Sequence, residues 1–259
     1  VTELVAPSQV PTVAVPAANA PALAEGARLA GWVTEVIWAA EQTSPRSQQR
    51  EIGASELGLA CSREIAFRLA GTEPVNMTID PLAAIAGTAM HAWLAGVFRR
   101  LGPPGRYLVE HRVSYRGTFG TLDLYDRRTR TVIDWKFPRK TKANRMRADG
   151  PPRSYVWQGQ TYGAGLAAAG EQPERVAVVY VPIDGTLSDV FAFVWPIEIG
   201  VADEAADRLS TVAQQYGNDA EGHPGQVPAQ PSRLCPWCPW HRPKWTGDPD
   251  VACPGGDKP

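Results

Sequence analysis

Two aspartates and a lysine carry the most readable chemistry in this chain: Asp123, Asp134 and Lys136, within GTLDLYDRRTRTVIDWKF, Gly120 to Phe137. The stretch reads as two β-strands joined by a tight basic turn. Side chains alternate along a strand with period two. Val132, Asp134 and Lys136 therefore share one face of the second strand, and Ile133, Trp135 and Phe137 share the other. In the first strand Asp123 and Tyr125 share a face, flanked by Leu122 and Leu124. An Asp-x-Lys inside such a run weakens a strand, and chemistry compensates for that cost. Two carboxylates can hold a hard divalent cation, and a lysine beside them can steer a water or an anionic oxygen.

A second set of reactive residues is the four cysteines, Cys61, Cys235, Cys238 and Cys253. In a secreted chain four cysteines could form two disulfides. The opening residues, VTELVAPSQVPTVAV, lack the basic start and continuous apolar core of a secretory signal. With a Cys-x-x-Cys pair present, the expectation is a metal or cluster site in a cytoplasmic protein.

These residues need a scaffold. The chain of 259 residues, 44% hydrophobic and 20% charged, suits one globular domain with appendages. Its net charge of −1 gives no global nucleic-acid signal, so any such signal must be local. Residues 1–22, rich in Ala, Pro and Val, read as a flexible tail. Residues 23–80 form an N-terminal helical region carrying Cys61, residues 81–216 the core, and residues 217–259 an irregular Cys-rich tail that needs a cross-link to hold a shape. Residues 81–98 contain no Asp, Glu, Lys or Arg. That run is Ala/Gly-rich, contains His91 and falls short of the ~20 apolar residues of a membrane span. It is therefore expected to be a buried helix, with no membrane involved.

The coarse order of elements follows from periodicity and breakers. Helical spacing runs from Pro21 to about Gln42. Ser55 reads as the N-cap of a helix ending at Gly71, with Leu57, Cys61, Ile65 and Leu69 on one face, which puts Cys61 on the buried side. Pro81 opens a helix to about Leu101. Tyr107 to Tyr115 reads as a strand, in which Glu110 either faces the cleft or is an ordinary edge-strand charge; the second reading is preferred. After the central hairpin come Arg139, Lys140, Lys142, Arg145 and Arg147, between Pro138 and Gly150-Pro151-Pro152. The prolines favour a solvated basic loop over a long helix, placed where it would meet phosphates approaching the aspartates. Ser154 to Ala169 reads as a helix with Gln158 and Tyr162 four apart on one face. Val176–Pro182 and Val190–Pro196 read as a hairpin, and Ile199–Tyr216 as an amphipathic helix.

As a set, His91 in GTAMHAWL, Asp123 in GTLDLYD, Asp134-Trp135-Lys136 in VIDWKF and Gln158…Tyr162 in QGQTY resemble the RecB-like branch of the PD-(D/E)xK nuclease superfamily. With one cysteine upstream and a Cys-x-x-Cys…Cys set downstream, the resemblance is to its iron–sulfur members, including the AddB nuclease domain, CRISPR-associated exonucleases and phage relatives. It implies an α/β (α+β) restriction-endonuclease-like core, with a central mixed sheet flanked by helices and an irregular cysteine-bearing tail. It implies that His91, Asp123, Asp134 and the Trp135 carbonyl bind Mg²⁺ or Mn²⁺, the histidine favouring Mn²⁺. Lys136 would polarise the attacking water, and Gln158 and Tyr162 would support the site. Cys61, Cys235, Cys238 and Cys253 would hold a [4Fe–4S] cluster. A local zinc site of Cys235, Cys238, His241 and Cys253 is the alternative. The activity implied is that of a DNA exonuclease working 5′ to 3′ on single strands or DNA ends in recombination, repair or replication. A recombination or CRISPR-type protein partner belongs to the same picture. The other reading is a non-catalytic DNA-binding or assembly subunit.

Overall fold

Alternating β-branched and aromatic residues give five strands, and their order in space equals their order in the chain. The computed structural model describes residues 20–43, 52–76, 80–217 and 222–255. Strands β1 (Tyr107–Tyr115), β2 (Thr118–Asp126), β3 (Thr131–Lys136), β4 (Arg175–Tyr180) and β5 (Phe191–Pro196) form one sheet in the order β1-β2-β3-β4-β5. All neighbours are antiparallel except β3 and β4, which are parallel. The expected mixed sheet is therefore present, and the last two strands form the expected hairpin.

A parallel pair needs a long crossover, here supplied by α4 (Lys140–Asp149) and α5 (Arg153–Ala168). Helix α5 covers the face carrying Val132 and Val176, and these pack with Val113, Leu122, Tyr125, Tyr162 and Leu166 in the main core. Glycines allow the close approach. A Cβ on Gly159 would lie 2.3 Å from the Val176 side chain, and one on Gly120 would lie 2.6 Å from the Tyr162 ring. Helix α3 (Leu82–Leu101) covers the other face, where Phe98 stacks on Trp135 and meets Tyr107 edge-on. Helices α2 (Ser62–Ala70) and α6 (Ile199–Gly217) join the C-terminal segment through Ile52, Ile65, Ala66, Val212 and Val227.

The chain divides into two compact units, residues 1–49 and 50–259. The first contains α1 (Ala20–Gln42), close to the expected helix, with Leu29, Trp32 and Val36 exposed along it. The expected tail before it lies outside the described residues.

Three expectations are corrected. Helix α3 is not a buried helix: Ala95 is its one buried residue. It is apolar and long enough by composition to span a membrane, yet it presents a single stripe to β1 and β2, and Leu82, Trp93 and Leu101 are exposed.

The helix expected from Ser55 begins only at Ser62, with Cys61 at its N-cap. The turn before it spends its backbone groups elsewhere. The Arg208 guanidinium takes the carbonyls of Leu57, Leu59 and Ala60, and the Glu56 carboxylate accepts the Gly53 N–H at 2.8 Å. Cys61 is thus half-buried at a helix start rather than on a buried face.

The basic loop is helix α4. Its prolines and glycine lie outside it, its interior is built from good helix formers, and its first N–H finds a remote cap, Lys140 N to Asp184 Oδ1 at 2.5 Å.

Candidate active site

The site forms where the ladder opens. Pairing of β2 with β3 runs from Asp126↔Thr131 to Leu124↔Ile133 and goes no further. Pairing of β1 with β2 passes from Val109↔Leu124 to His111↔Leu122, leaving Glu110 and Asp123 out of register contact. Glu110 has φ of 50°, a left-handed conformation that a non-glycine residue rarely adopts. Such strain concentrates at functional sites.

Asp123 bridges the gap. Its Oδ2 accepts the Trp135 N–H at 2.7 Å, and its Oδ1 lies 3.1 Å from Nδ1 of His91, which descends from α3. The His91 ring is held edge-on against Phe137. One ligand atom each from His91, Glu110 and Asp123 all lie within 4.8 Å of one another. Glu110 therefore belongs to the cluster, and the edge-charge reading is corrected. Burial, then repulsion from Asp123, raises its carboxyl above the ordinary value. In a strand the N–H and C=O of one residue point the same way, so the Trp135 carbonyl emerges on the side of its N–H, toward Asp123.

On the α5 face, Asp134 is 1% exposed. Lys136 Nζ lies 2.8 Å from its Oδ2, and the ammonium also donates to Gln158 Oε1 at 2.9 Å. Gln158 Nε2 in turn donates to the Tyr162 hydroxyl at 3.0 Å. The predicted pair of residues on α5 thus meets the predicted lysine. Burial, and then the charge of Asp123, raise the Asp134 carboxyl, while Lys136 opposes them. Burial also raises the Tyr162 phenol, keeping it neutral.

A divalent cation fits these residues by one plain test. Asp134 Oδ2 and His91 Nδ1 are buried, and each has one close contact, Lys136 Nζ at 2.8 Å and Asp123 Oδ1 at 3.1 Å, neither with hydrogen-bond geometry. Buried polar atoms short of a well-formed hydrogen bond are uncommon and call for a reason. These two belong to residues that the sequence pattern nominates as ligands.

Lys140, Lys142, Arg145 and Arg147 lie on α4 and Arg139 is its N-cap, and all five are exposed. Lys140 pairs with Asp189, and Arg147 lies over Phe191. Among the described residues Arg139, Lys142 and Arg145 have no ion-pair partner, which leaves their charges available to an anion.

All four cysteines are free thiols, and Cys238 lies near Cys61, at the start of α2, and near Cys253. Cys253 packs with Phe67 and Trp240, beside Cys238. The bridge His241↔Cys253, with Cys253 N–H bonded to Trp240 O at 2.9 Å, folds residues 239–252 into a closed loop. That closure brings Cys253 back to Cys238 despite the long gap between them. Gln230 N–H donates to Cys61 Sγ at 3.5 Å, Ser232 N–H to Cys235 Sγ at 3.3 Å and Arg63 to Cys253 Sγ at 3.7 Å. Burial, with Glu64 and the thiols of Cys61 and Cys253 nearby, pushes Cys238 up to about 12.

A mixed five-stranded sheet with helices on both faces and an Asp-x-Lys strand at its centre is a restriction-endonuclease-like α/β fold. Residues 108–242, more than half of the chain, match the family model of the PD-(D/E)XK nuclease superfamily, and the protein belongs to that superfamily. Among solved structures it is similar to an alkaline exonuclease from Laribacter hongkongensis, at 18% identity and a TM-score of 0.46, over 64% of this chain and 88% of that one. It is also similar to a phage-related exonuclease from Haemophilus somnus 129PT, at 15% identity and a TM-score of 0.45, over 62% of this chain and 91% of that one. No curated protein matches it.

Proposed function

We propose that the protein is a metal-dependent deoxyribonuclease, an exonuclease acting 5′ to 3′ on single-stranded DNA or DNA ends. The observation that carries the nuclease reading is one of placement: His91, Glu110 and Asp123 converge beside a buried Asp134–Lys136–Gln158–Tyr162 chain. The exonuclease direction and the single-strand preference rest on the resemblance of the motif set.

His91, Glu110, Asp123 and Asp134 would hold Mg²⁺ or Mn²⁺, joined by the Trp135 carbonyl, and the mixed nitrogen and oxygen donors suit Mn²⁺. The bound cation supplies Lewis acidity and lowers the pKa of its water. Lys136, fixed between Asp134 and Gln158, presents its remaining ammonium proton to the attacking oxygen. Tyr162 fixes the Gln158 amide, and through it the lysine. Arg139, Lys142 and Arg145 meet the DNA backbone as it arrives.

The same proposal includes a [4Fe–4S] cluster on Cys61, Cys235, Cys238 and Cys253. Four free thiols served by N–H donors are a suitable set. Anaerobic purification would yield a brown, iron-containing protein that loses its colour in Cys61→Ser. A colourless protein with stoichiometric zinc, indifferent to that change, would overturn the cluster.

The nuclease reading is tested by digesting end-labelled single- and double-stranded DNA with Mn²⁺, comparing wild type with Asp134→Ala and Lys136→Ala. Wild type alone should degrade DNA. Equal degradation by all three would refute the site.

A further inference from the structure

Two guanidinium groups stand beside the cysteines without a carboxylate to balance them. Arg63 lies in the first turn of α2, two residues after Cys61. Its Nε donates to the carbonyl of buried Val227 at 2.8 Å, and a terminal nitrogen of the same fork donates to Cys253 Sγ at 3.7 Å. Arg208, on α6, spreads over the carbonyls of Leu57, Leu59 and Ala60, the last of them next to Cys61 in the chain. Burial pulls its guanidinium down, and the Cys61 thiol opposes that. Both side chains are half-buried. Among the described residues neither makes an ion pair with a carboxylate. Glu64, on the same turn as Arg63, stands near the Cys238 thiol, and it is held by Arg68, which donates to it at 3.3 Å and to Glu56 at 2.8 Å.

This arrangement is unfavourable for an uncharged set of thiols. The start of a helix is the positive end of its dipole and disfavours a cation, yet Arg63 is placed there. A half-buried charge without a counter-charge adds a desolvation cost. Four thiolates outweigh the charge of the metal core they hold, so a loaded cysteine site is the anion that these two cations lack.

We propose that Arg63 is a positioning residue of the cysteine site: its fork, anchored on Val227, holds the Cys253 sulfur as a thiolate ligand and makes the loaded site easier to reduce. An added electron makes the site more negative. A guanidinium bonded to a ligand sulfur therefore stabilises the reduced form more than the oxidised one, in the way that hydrogen bonds to the sulfurs set the potentials of such clusters. The inference rests on the cluster reading and says what one side chain does to that cluster.

The test uses the full chain, purified anaerobically, as wild type, Arg63→Gln and Arg63→Lys. Visible absorbance during a dye-mediated redox titration gives the reduced fraction. At the potential where wild type is half reduced, Arg63→Gln should show a reduced-to-oxidised ratio about tenfold lower. For a one-electron couple that is a midpoint about 59 mV lower. Arg63→Lys keeps the charge and should stay within about threefold of wild type. A purely structural Arg63 would cost stability in both variants and leave the ratio unmoved. An unshifted Arg63→Gln overturns the proposal, as does an equal shift in both variants. If wild type is colourless and free of iron, the cluster reading fails by itself. Arg63 is then judged by Cd²⁺ titration of the metal-free full chain, followed through the thiolate charge-transfer band, as it is if Arg63→Gln alone loses its colour. Arg63→Gln should bind Cd²⁺ about tenfold more weakly than wild type, and equal affinity overturns the proposal.

Discussion

Asp126 and Asp134 stand at opposite ends of one hairpin, both buried, and the protein treats them in opposite ways. Asp126, 5% exposed, receives a guanidinium fork from Arg106 at 2.9 and 2.8 Å, the Arg128 N–H at 3.0 Å and the Thr129 hydroxyl at 3.1 Å. The Arg106 hydrogen bonds hold its carboxyl below the ordinary range. Asp134 has one lysine, an oxygen without a well-formed hydrogen bond, and a carboxyl raised by burial. A fully satisfied buried carboxylate is a structural part, here pinning the 126–131 turn. An under-satisfied one beside a lysine and a second carboxylate fits the proposed metal site.

The largest expected difference is in activity. Asp134→Asn should cut DNA hydrolysis by about 10³-fold or more and leave the thermal midpoint unchanged or higher, since a buried ionisable group is removed. Asp126→Asn should do the reverse, keeping activity per folded molecule and costing about 2 kcal/mol of stability, read by urea unfolding. Loss of activity in a well-folded Asp126→Asn would break the contrast. Next in size, Glu110→Gln should weaken Mn²⁺ binding about tenfold, measured by calorimetry, with little change in fold.

The smallest effect is in pH dependence, and the two aspartates contribute with opposite sign. The folded value of Asp126 lies below the ordinary 3.8. Its contribution is present above that value and is lost as pH falls through the depressed one. In the metal-free protein Asp134 is raised from 3.8 to about 6, so its contribution is full below 3.8 and is lost as pH rises through about 6. Metal binding requires the carboxylate and releases the proton. Stabilisation by Mn²⁺ should therefore grow between about pH 4 and 6 in wild type, and Asp134→Asn should flatten that rise in thermal melts.

What could be read in the sequence was what depends on local pattern. Period-two alternation put Asp134 and Lys136 on one face, and four-residue spacing put Gln158 and Tyr162 on another. The sheet joins them through direct hydrogen bonds. What escaped depends on remote partners. Helix α4 borrows its cap from Asp184, some forty residues away in the chain, and α2 starts late because Arg208, far downstream, takes the carbonyls before it. Glu110 escaped because its φ is positive, which no alternation rule anticipates. One signal was available: once the Arg116–Gly117 turn is placed, the antiparallel register puts Glu110 opposite Asp123.

Calorimetric Mn²⁺ titration of wild type, Asp126→Asn and Asp134→Asn at pH 7 tests the central claim most directly, because it needs no DNA. Wild type and Asp126→Asn should bind alike, and Asp134→Asn at least about tenfold more weakly. Equal binding by wild type and Asp134→Asn, or equal weakening in both variants, would contradict the assignment of Asp134 to the metal site.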